Sequence, residues 1–373
     1  MATGKPSFWQ RIIGRAAGSD APASELSTLP AVQQTHAPGA SAPQATAAST
    51  AQDLRDFDLG AEIGRGAMAI VYKATQRSTG RQVAIKRLAL SREFSAEDLA
   101  DVRERFMREA RAARALEHPD ILQVVDAGQD GGDAWIALEY VLGRDLSLFT
   151  KAGQLLPVRE VVQLGARLAR ALHYAHSQGV IHRDIKPANV MLDRVNGSLK
   201  LMDFGIARVG DGSRTRTGLV LGTPSFMSPE QLAGLTVDGR SDLYSLSVLL
   251  YQLLSGTLPH QSDSMARLMQ QIATEPAADV RTRRPGLPES LALVLAVALE
   301  KRPELRYASG EQMARDLEAV LVMDLQAEPN APEVAQSQDA AFAQTLRLTP
   351  EEAGQNRRSP ACGAEPHDPS QAS

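Results

Sequence analysis

Four short clusters carry side chains that could act together on a phosphate and a hydroxyl. In His182-Arg183-Asp184-Ile185-Lys186-Pro187-Ala188-Asn189, a carboxylate, a cation and an amide stand close together in a stretch that reads as a loop. Such a set can serve a hydroxyl, a phosphate and a metal ion at once. Asp203-Phe204-Gly205 follows a short apolar strand, Leu199–Met202. A carboxylate at a strand end beside a glycine suits Mg²⁺, which takes oxygen ligands and accompanies phosphates. Gly64-Arg65-Gly66-Ala67-Met68-Ala69-Ile70-Val71 sits between two strand patterns. Glycines there let backbone N–H groups approach phosphate oxygens with no side chain between. The run does not open a helix, which argues against a dinucleotide-binding turn. Lys86 ends the strand-like Val83-Ala84-Ile85-Lys86, where a lysine needs a reason to point inward. Glu109, on the following helical stretch, could pair with it.

These residues need elements to hold them. Phe57–Ile63 and Gln82–Lys86 alternate as strands do. A charged helix is expected from Ala96 to Leu116, then strands at Ile121–Val125 and Ala134–Tyr140. After Gly143 the periodicity turns helical, with long runs at Val158–Gln178, Ser241–Ser255 and Leu287–Leu299. Sheet first and helices after imply an α+β fold of two lobes. The boundaries expected are a folded domain over residues 55–323, with an N-lobe over 55–140 and a C-lobe over 141–323. Residues 1–54 and 324–373 are rich in Ala, Pro, Ser, Thr and Gln and are expected to be disordered. Phe8, Trp9, Ile12 and Ile13 share one helical face beside Arg11 and Arg15, the pattern of a short amphipathic docking helix. A weakly structured N-terminus is the plainer alternative.

The bulk numbers remove several function classes. A net charge of −4 and a pI near 6.0 count against a nucleic-acid binder. One cysteine, Cys362, leaves no disulfide framework and no cysteine metal site. No run reaches the roughly 18–20 apolar residues a membrane span needs. Lys5, Arg11 and Arg15 precede no apolar core of a secretory leader. A cytoplasmic location is the expectation.

Taken together and in order, these clusters resemble the eukaryotic-like (Hanks-type) protein kinases, and bacterial serine/threonine kinases in particular. Gly222-Thr223-Pro224, Ser228-Pro229-Glu230, Asp242 and Arg306 extend the match, which runs from residue 57 to 322. The resemblance implies a two-lobed kinase fold that transfers the γ-phosphate of ATP to serine or threonine hydroxyls of proteins. It implies that Ile63, Gly64, Arg65, Gly66, Ala67 and Val71 cover the nucleotide from above, with Ala84 nearby. Lys86 would bind the α- and β-phosphates, braced by Glu109. Leu138 would be the gatekeeper behind a hinge at Glu139 to Val141. Asp184 would orient the substrate hydroxyl, Lys186 would sit near the γ-phosphate, and Asn189 and Asp203 would hold Mg²⁺. His118 and His182 would brace turns rather than bind metal.

Two departures stand out. Ala69 replaces the third glycine of the family loop, which implies retained but weaker ATP binding. Ser228-Pro229-Glu230 stands where Ala-Pro-Glu is commoner, with Glu230 expected to pair with Arg306. Lys186 and Thr223 favour serine/threonine over tyrosine specificity. Thr215 and Thr217, among Arg208, Arg214 and Arg216, are candidates for autophosphorylation, with Arg183 as receiver and a homodimer as one route to it. The rival readings are a pseudokinase scaffold on the same fold, against which Lys86, Asp184 and Asp203 all stand, and a small-molecule kinase, against which the 222–230 segment stands.

Overall fold

In this computed structural model the described residues are 53–65, 69–95, 97–204 and 224–325. Residues 1–52 and 326–373, with the segment around Phe8–Ile13, the loop tip Gly66–Met68, and Ser213, Thr215, Thr217, Gly222 and Thr223 lie outside them, as does Cys362.

Strand period two sorts the residues of β3 (Gln82–Leu88). Val83 and Ile85 are fully buried on one face, while Ala84 and Lys86 point to the other. β3 is the middle of a five-stranded antiparallel sheet with β1 (Phe57–Arg65), β2 (Ala69–Gln76), β4 (Val124–Asp130) and β5 (Asp133–Glu139), in the order β1-β2-β3-β5-β4. Lys86 stands opposite Val71 on β2 and Ile136 on β5. The other face buries Phe57, Val83, Ile85 and Trp135, with Phe57 edge-on to Trp135 at 5.5 Å between ring centroids.

Helix α1 (Leu99–Arg114) buries Val102, Phe106, Ala110 and Ala113 along one stripe. It is shorter than the expected 96–116 by a few residues at each end. The strand expected at Ile121–Val125 is a correction: β4 begins only at Val124. Ile121 instead closes a turn onto the His118 carbonyl, and Leu122 donates to Leu201 in the other lobe. An apolar run buried on all sides does not reveal which sheet it joins.

The C-terminal half is helical. α2 (Val158–Ser177), α3 (Pro229–Leu232), α4 (Gly239–Ser255), α5 (Met265–Thr274), α6 (Glu289–Ala298) and α7 (Gly310–Met323) follow in chain order. Every residue of α4 from Ser241 to Tyr251 is buried, so this helix is surrounded on all sides by the others. Gly165 lets α2 approach it: a methyl there would come within 2.9 Å of Leu250.

A small sheet of β6 (Arg144–Asp145), β7 (Val190–Asp193) and β8 (Ser198–Leu201) positions the reactive segments. Its hairpin register puts Val190 opposite Leu201. The residues entering β7 and leaving β8 therefore lie side by side, and the Met202 amide donates to the Asn189 carbonyl at 2.8 Å. That pairing brings the 182–189 loop next to Asp203.

Candidate active site

The loop before β7 gathers three of the expected groups. Lys186 Nζ lies 2.7 Å from Asp184 Oδ2. Asn189 Nδ2 donates to the same oxygen at 2.9 Å and to the Asp184 carbonyl at 2.7 Å. The side-chain oxygen of Asn189, Oδ1, takes no part in these bonds. Pro187–Asn189 form a 3₁₀ turn that aims the amide inward.

His182 fastens this loop to the strand end. Its ring is buried, packs 4.6 Å from Phe204, and bonds the Met202 carbonyl through Nε2 at 2.7 Å. Nδ1 accepts the Asp184 amide at 3.2 Å. Burial pulls the His182 imidazole below its ordinary value against the opposing pull of Asp242. A neutral ring protonated on Nε2 fits both bonds. His182 thus braces the loop, as expected.

Asp242 supplies the second anchor from inside α4. It accepts the His182 amide at 2.8 Å, the Arg183 amide at 2.7 Å and the His176 ring at 2.7 Å. Two of the loop's residues depend on this carboxylate. Arg183 holds a left-handed backbone at φ 65°, as does Asp203 at φ 60°. For residues other than glycine such geometry persists only where the surroundings fix it.

Across from the loop, Lys86 Nζ meets Asp203 Oδ1 at 2.8 Å, both partly shielded from solvent. Lys86, Ala113, Ile136, Leu138, Asp203 and Phe204 line one cavity between the sheet, α1 and the strand end. Glu109 differs from the expectation. It pairs with Arg105 one turn earlier at 3.2 Å, and its Oε2 is buried with no hydrogen-bond partner. Lys86 is held by Asp203 instead, and Glu109 is engaged by Arg105 on its own helix.

The family model for the protein kinase domain matches residues 57–317. The chain belongs to the protein kinase family. It is 44% identical over 275 residues to a probable serine/threonine-protein kinase of Streptomyces coelicolor, covering 71% of this chain and 40% of that protein. It is 40% identical over 269 residues to serine/threonine-protein kinase pkn3 of Myxococcus xanthus, covering 69% and 48%. Against serine/threonine-protein kinase PknB of Mycolicibacterium smegmatis the identity is 39% over 297 residues, covering 77% and 46%. The chain thus spans less than half the length of these relatives. Among solved structures, the kinase domain of Mycobacterium tuberculosis PknI superposes with a TM-score of 0.59 at 32% identity, covering 73% of this chain and 98% of that one. The chain has the two-lobed kinase fold, with a sheet-rich N-lobe and a helical C-lobe.

The remaining kinase positions fall along the sheet. Ile63 is half exposed on β1, Gly64 stands opposite Val71, and Arg65 is paired with Glu62. Ala84 lies between Lys73 and Leu138 on neighbouring strands. Val141 lies two residues beyond Glu139, the end of β5. The Glu139 side chain carries a contact the sequence did not disclose: Lys200 of β8 grips it at 2.6 Å, tying the end of the N-lobe sheet to the C-lobe. Its signal was one cation inside the apolar Leu199-Lys200-Leu201. Glu230 meets Arg306 as expected, with bonds of 2.7 and 2.8 Å.

No cluster of three His, Cys, Asp or Glu suited to a metal occurs among the described residues. The donor set at the loop is one amide oxygen with the Asp203 carboxylate, and Asp184 stands next to it. Hard oxygen donors of this kind fit a Mg²⁺ that takes its other ligands from phosphates and water.

Proposed function

We propose that this chain is an ATP-dependent serine/threonine protein kinase that acts on other proteins and on itself. One observation carries the reading. Asp184, Lys186 and Asn189 converge on a loop whose backbone is pinned to Asp242 and His182, directly beside the Lys86–Asp203 pair. Phosphoryl transfer asks a protein mainly for alignment and charge stabilisation, and this arrangement offers both.

In this reading Lys86 leaves Asp203 for the α- and β-phosphates of ATP. Asn189 and Asp203 would hold Mg²⁺, which would offset phosphate charge. Asp184 orients the incoming hydroxyl and takes up its proton, while Lys186 neutralises the transferring group. The hinge from Glu139 to Val141 reads adenine through its backbone, with Leu138 behind it, and Glu109 braces Lys86 once Arg105 releases it. Lys186 beside the loop aspartate supports serine/threonine specificity, as do the relatives' names. Arg183 Nε is buried with no hydrogen-bond partner among the described residues. That supports reception of a phosphate from Thr215 or Thr217, added within a transient homodimer. The kinase domain proper is assigned to residues 55–323, and no helix among the described residues is long and apolar enough to cross a membrane. A cytoplasmic setting suits a chain whose only cysteine is Cys362.

The test is transfer from γ-labelled ATP with MgCl₂ to general protein substrates, wild type against Asp184→Ala. Loss of a positioned acid–base group lowers rate by roughly 10²–10⁴. Equal rates in the two proteins would sink the assignment. Mass spectrometry of active protein reports whether Thr215 or Thr217 carries phosphate.

A further inference from the structure

The peptide unit between Arg183 and Asp184 is the backbone that aims the reactive carboxylate. Its nitrogen side donates to His182 Nδ1. Its oxygen side, the Arg183 carbonyl, accepts from Gln231 Nε2 at 2.9 Å. Gln231 belongs to α3, the single helical turn that closes the segment after the undescribed 205–223 stretch, and it lies 48 residues from Arg183.

The orientation of the Gln231 amide is not arbitrary. Ser228 caps α3, and the Ser228 amide donates to Gln231 Oε1 at 3.0 Å. The Ser228 hydroxyl is 3.2 Å from the same oxygen. In return the Gln231 amide donates to Ser228 Oγ at 3.4 Å, completing a capping box. With Oε1 committed to donors, Nε2 is the end that must face Arg183. The serine that stands where the family commonly has alanine is therefore part of a device that orients Gln231.

We propose that Gln231 is a positioning residue for phosphoryl transfer, holding the left-handed Arg183 backbone so that Asp184 points at the acceptor hydroxyl. Arg183 is clamped at both ends: Asp242 takes its amide and Gln231 takes its carbonyl. A left-handed non-glycine residue relaxes when such clamps are lost. Releasing the carbonyl lets the 183–184 peptide rotate and carries Asp184 off line. Small misplacements of a catalytic group are costly in rate. Gln231 acts through this peptide and touches neither nucleotide nor acceptor.

The proposal rests on the kinase reading, and one set of variants separates the two. Gln231→Glu keeps an acceptor for the Ser228 cap but presents a second acceptor to the Arg183 carbonyl. Gln231→Leu removes both functions. Ser228→Ala removes the hydroxyl cap but keeps the backbone amide that orients Gln231. Steady-state kinetics with a protein substrate and thermal unfolding are measured for all three beside wild type and Asp184→Ala. The expected result is kcat lower on the order of tenfold in both Gln231 variants, about the worth of one hydrogen bond. KM for ATP stays within twofold in both (roughly 0.4 kcal/mol), and Gln231→Glu unfolds at the wild-type temperature. Ser228→Ala, which removes one of the two donors to Oε1, lowers the unfolding temperature and costs less in kcat than either Gln231 variant. A Gln231→Glu protein with wild-type kcat overturns the proposal, as does a kcat loss matched by an equal loss in Ser228→Ala. If wild type itself transfers no phosphate, or no faster than Asp184→Ala, the kinase reading has failed instead.

Discussion

Removing Arg306 should strongly destabilise this domain. Its side chain is fully buried and holds both Glu230 oxygens at 2.7 and 2.8 Å. It also donates to the carbonyls of Glu300 at 2.7 Å, Lys301 at 2.9 Å and Arg240 at 3.3 Å. Its guanidinium lies 4.9 Å from the centre of the Tyr244 ring. Arg306→Met keeps most of the volume and leaves Glu230 buried with Ser241 as its remaining partner. Breaking a buried pair from one side costs about 3–5 kcal/mol. For a domain of this size that lowers the unfolding temperature by roughly 6–20 °C. Paired replacement, Arg306→Met with Glu230→Leu, should recover most of the loss, because no charge is then left buried. Urea unfolding followed by circular dichroism measures both. A loss below about 1 kcal/mol for the single variant, or a double variant no better than the single, would refute the reasoning. There is also a pH signature. Burial pushes the Glu230 carboxyl up, but its bonds to Arg306 and Ser241 outweigh this and hold it below its ordinary value of 4.5. The stabilisation is therefore whole above that pH and is lost as acid titrates Glu230 in the fold.

Three further outcomes follow from other contacts. Arg105→Ala frees Glu109 to reach Lys86; an i,i+4 helix pair is worth about 0.3–0.5 kcal/mol, so kcat/KM should rise about twofold, and an unchanged or lower rate counts against it. Lys200→Met releases Glu139 beside the hinge and should raise KM for ATP several-fold with kcat nearly constant, measured by initial rates over an ATP series. Burial and then the neighbouring Lys301 push His260 down to about 4 from 6.5. Its neutral form is thus favoured in the fold, and stability falls as pH drops from 6.5 towards 4; His260→Gln should flatten that slope in a thermal-unfolding series.

Most of the reactive set could be read from residue types and order. Asp184, Lys186 and Asn189 lie within six positions, and a loop that short keeps its members together whatever the surrounding packing. Lys86 and Asp203 are 117 residues apart; the resemblance put both at the nucleotide, but it braced Lys86 with Glu109 and did not foresee their direct pairing. Partner choice was harder. Glu109 had two cations within reach, and sequence order does not say that Arg105 lies closer in space than Lys86. Gln231 and His176 gave no signal, and Lys200 only that of a cation among apolar neighbours, because each acts through a contact with a distant segment. The misplaced start of β4 has a similar origin: Ile121 and Leu122 are as apolar as a strand core, yet Ile121 closes a turn on His118 and the Leu122 amide bonds Leu201 of the other lobe.

Asp242 couples the helical lobe to the reactive loop. A single carboxylate, sealed in the most enclosed helix, holds two consecutive amides of the loop that bears the reactive aspartate. Tightness of the helical lobe and aim of that aspartate are therefore one property. A substitution that loosens α4, however far from the cleft, will be scored in an activity screen as damage to the chemistry. A selection for heat resistance acting on the same helix would sharpen the aim without altering any group that meets nucleotide.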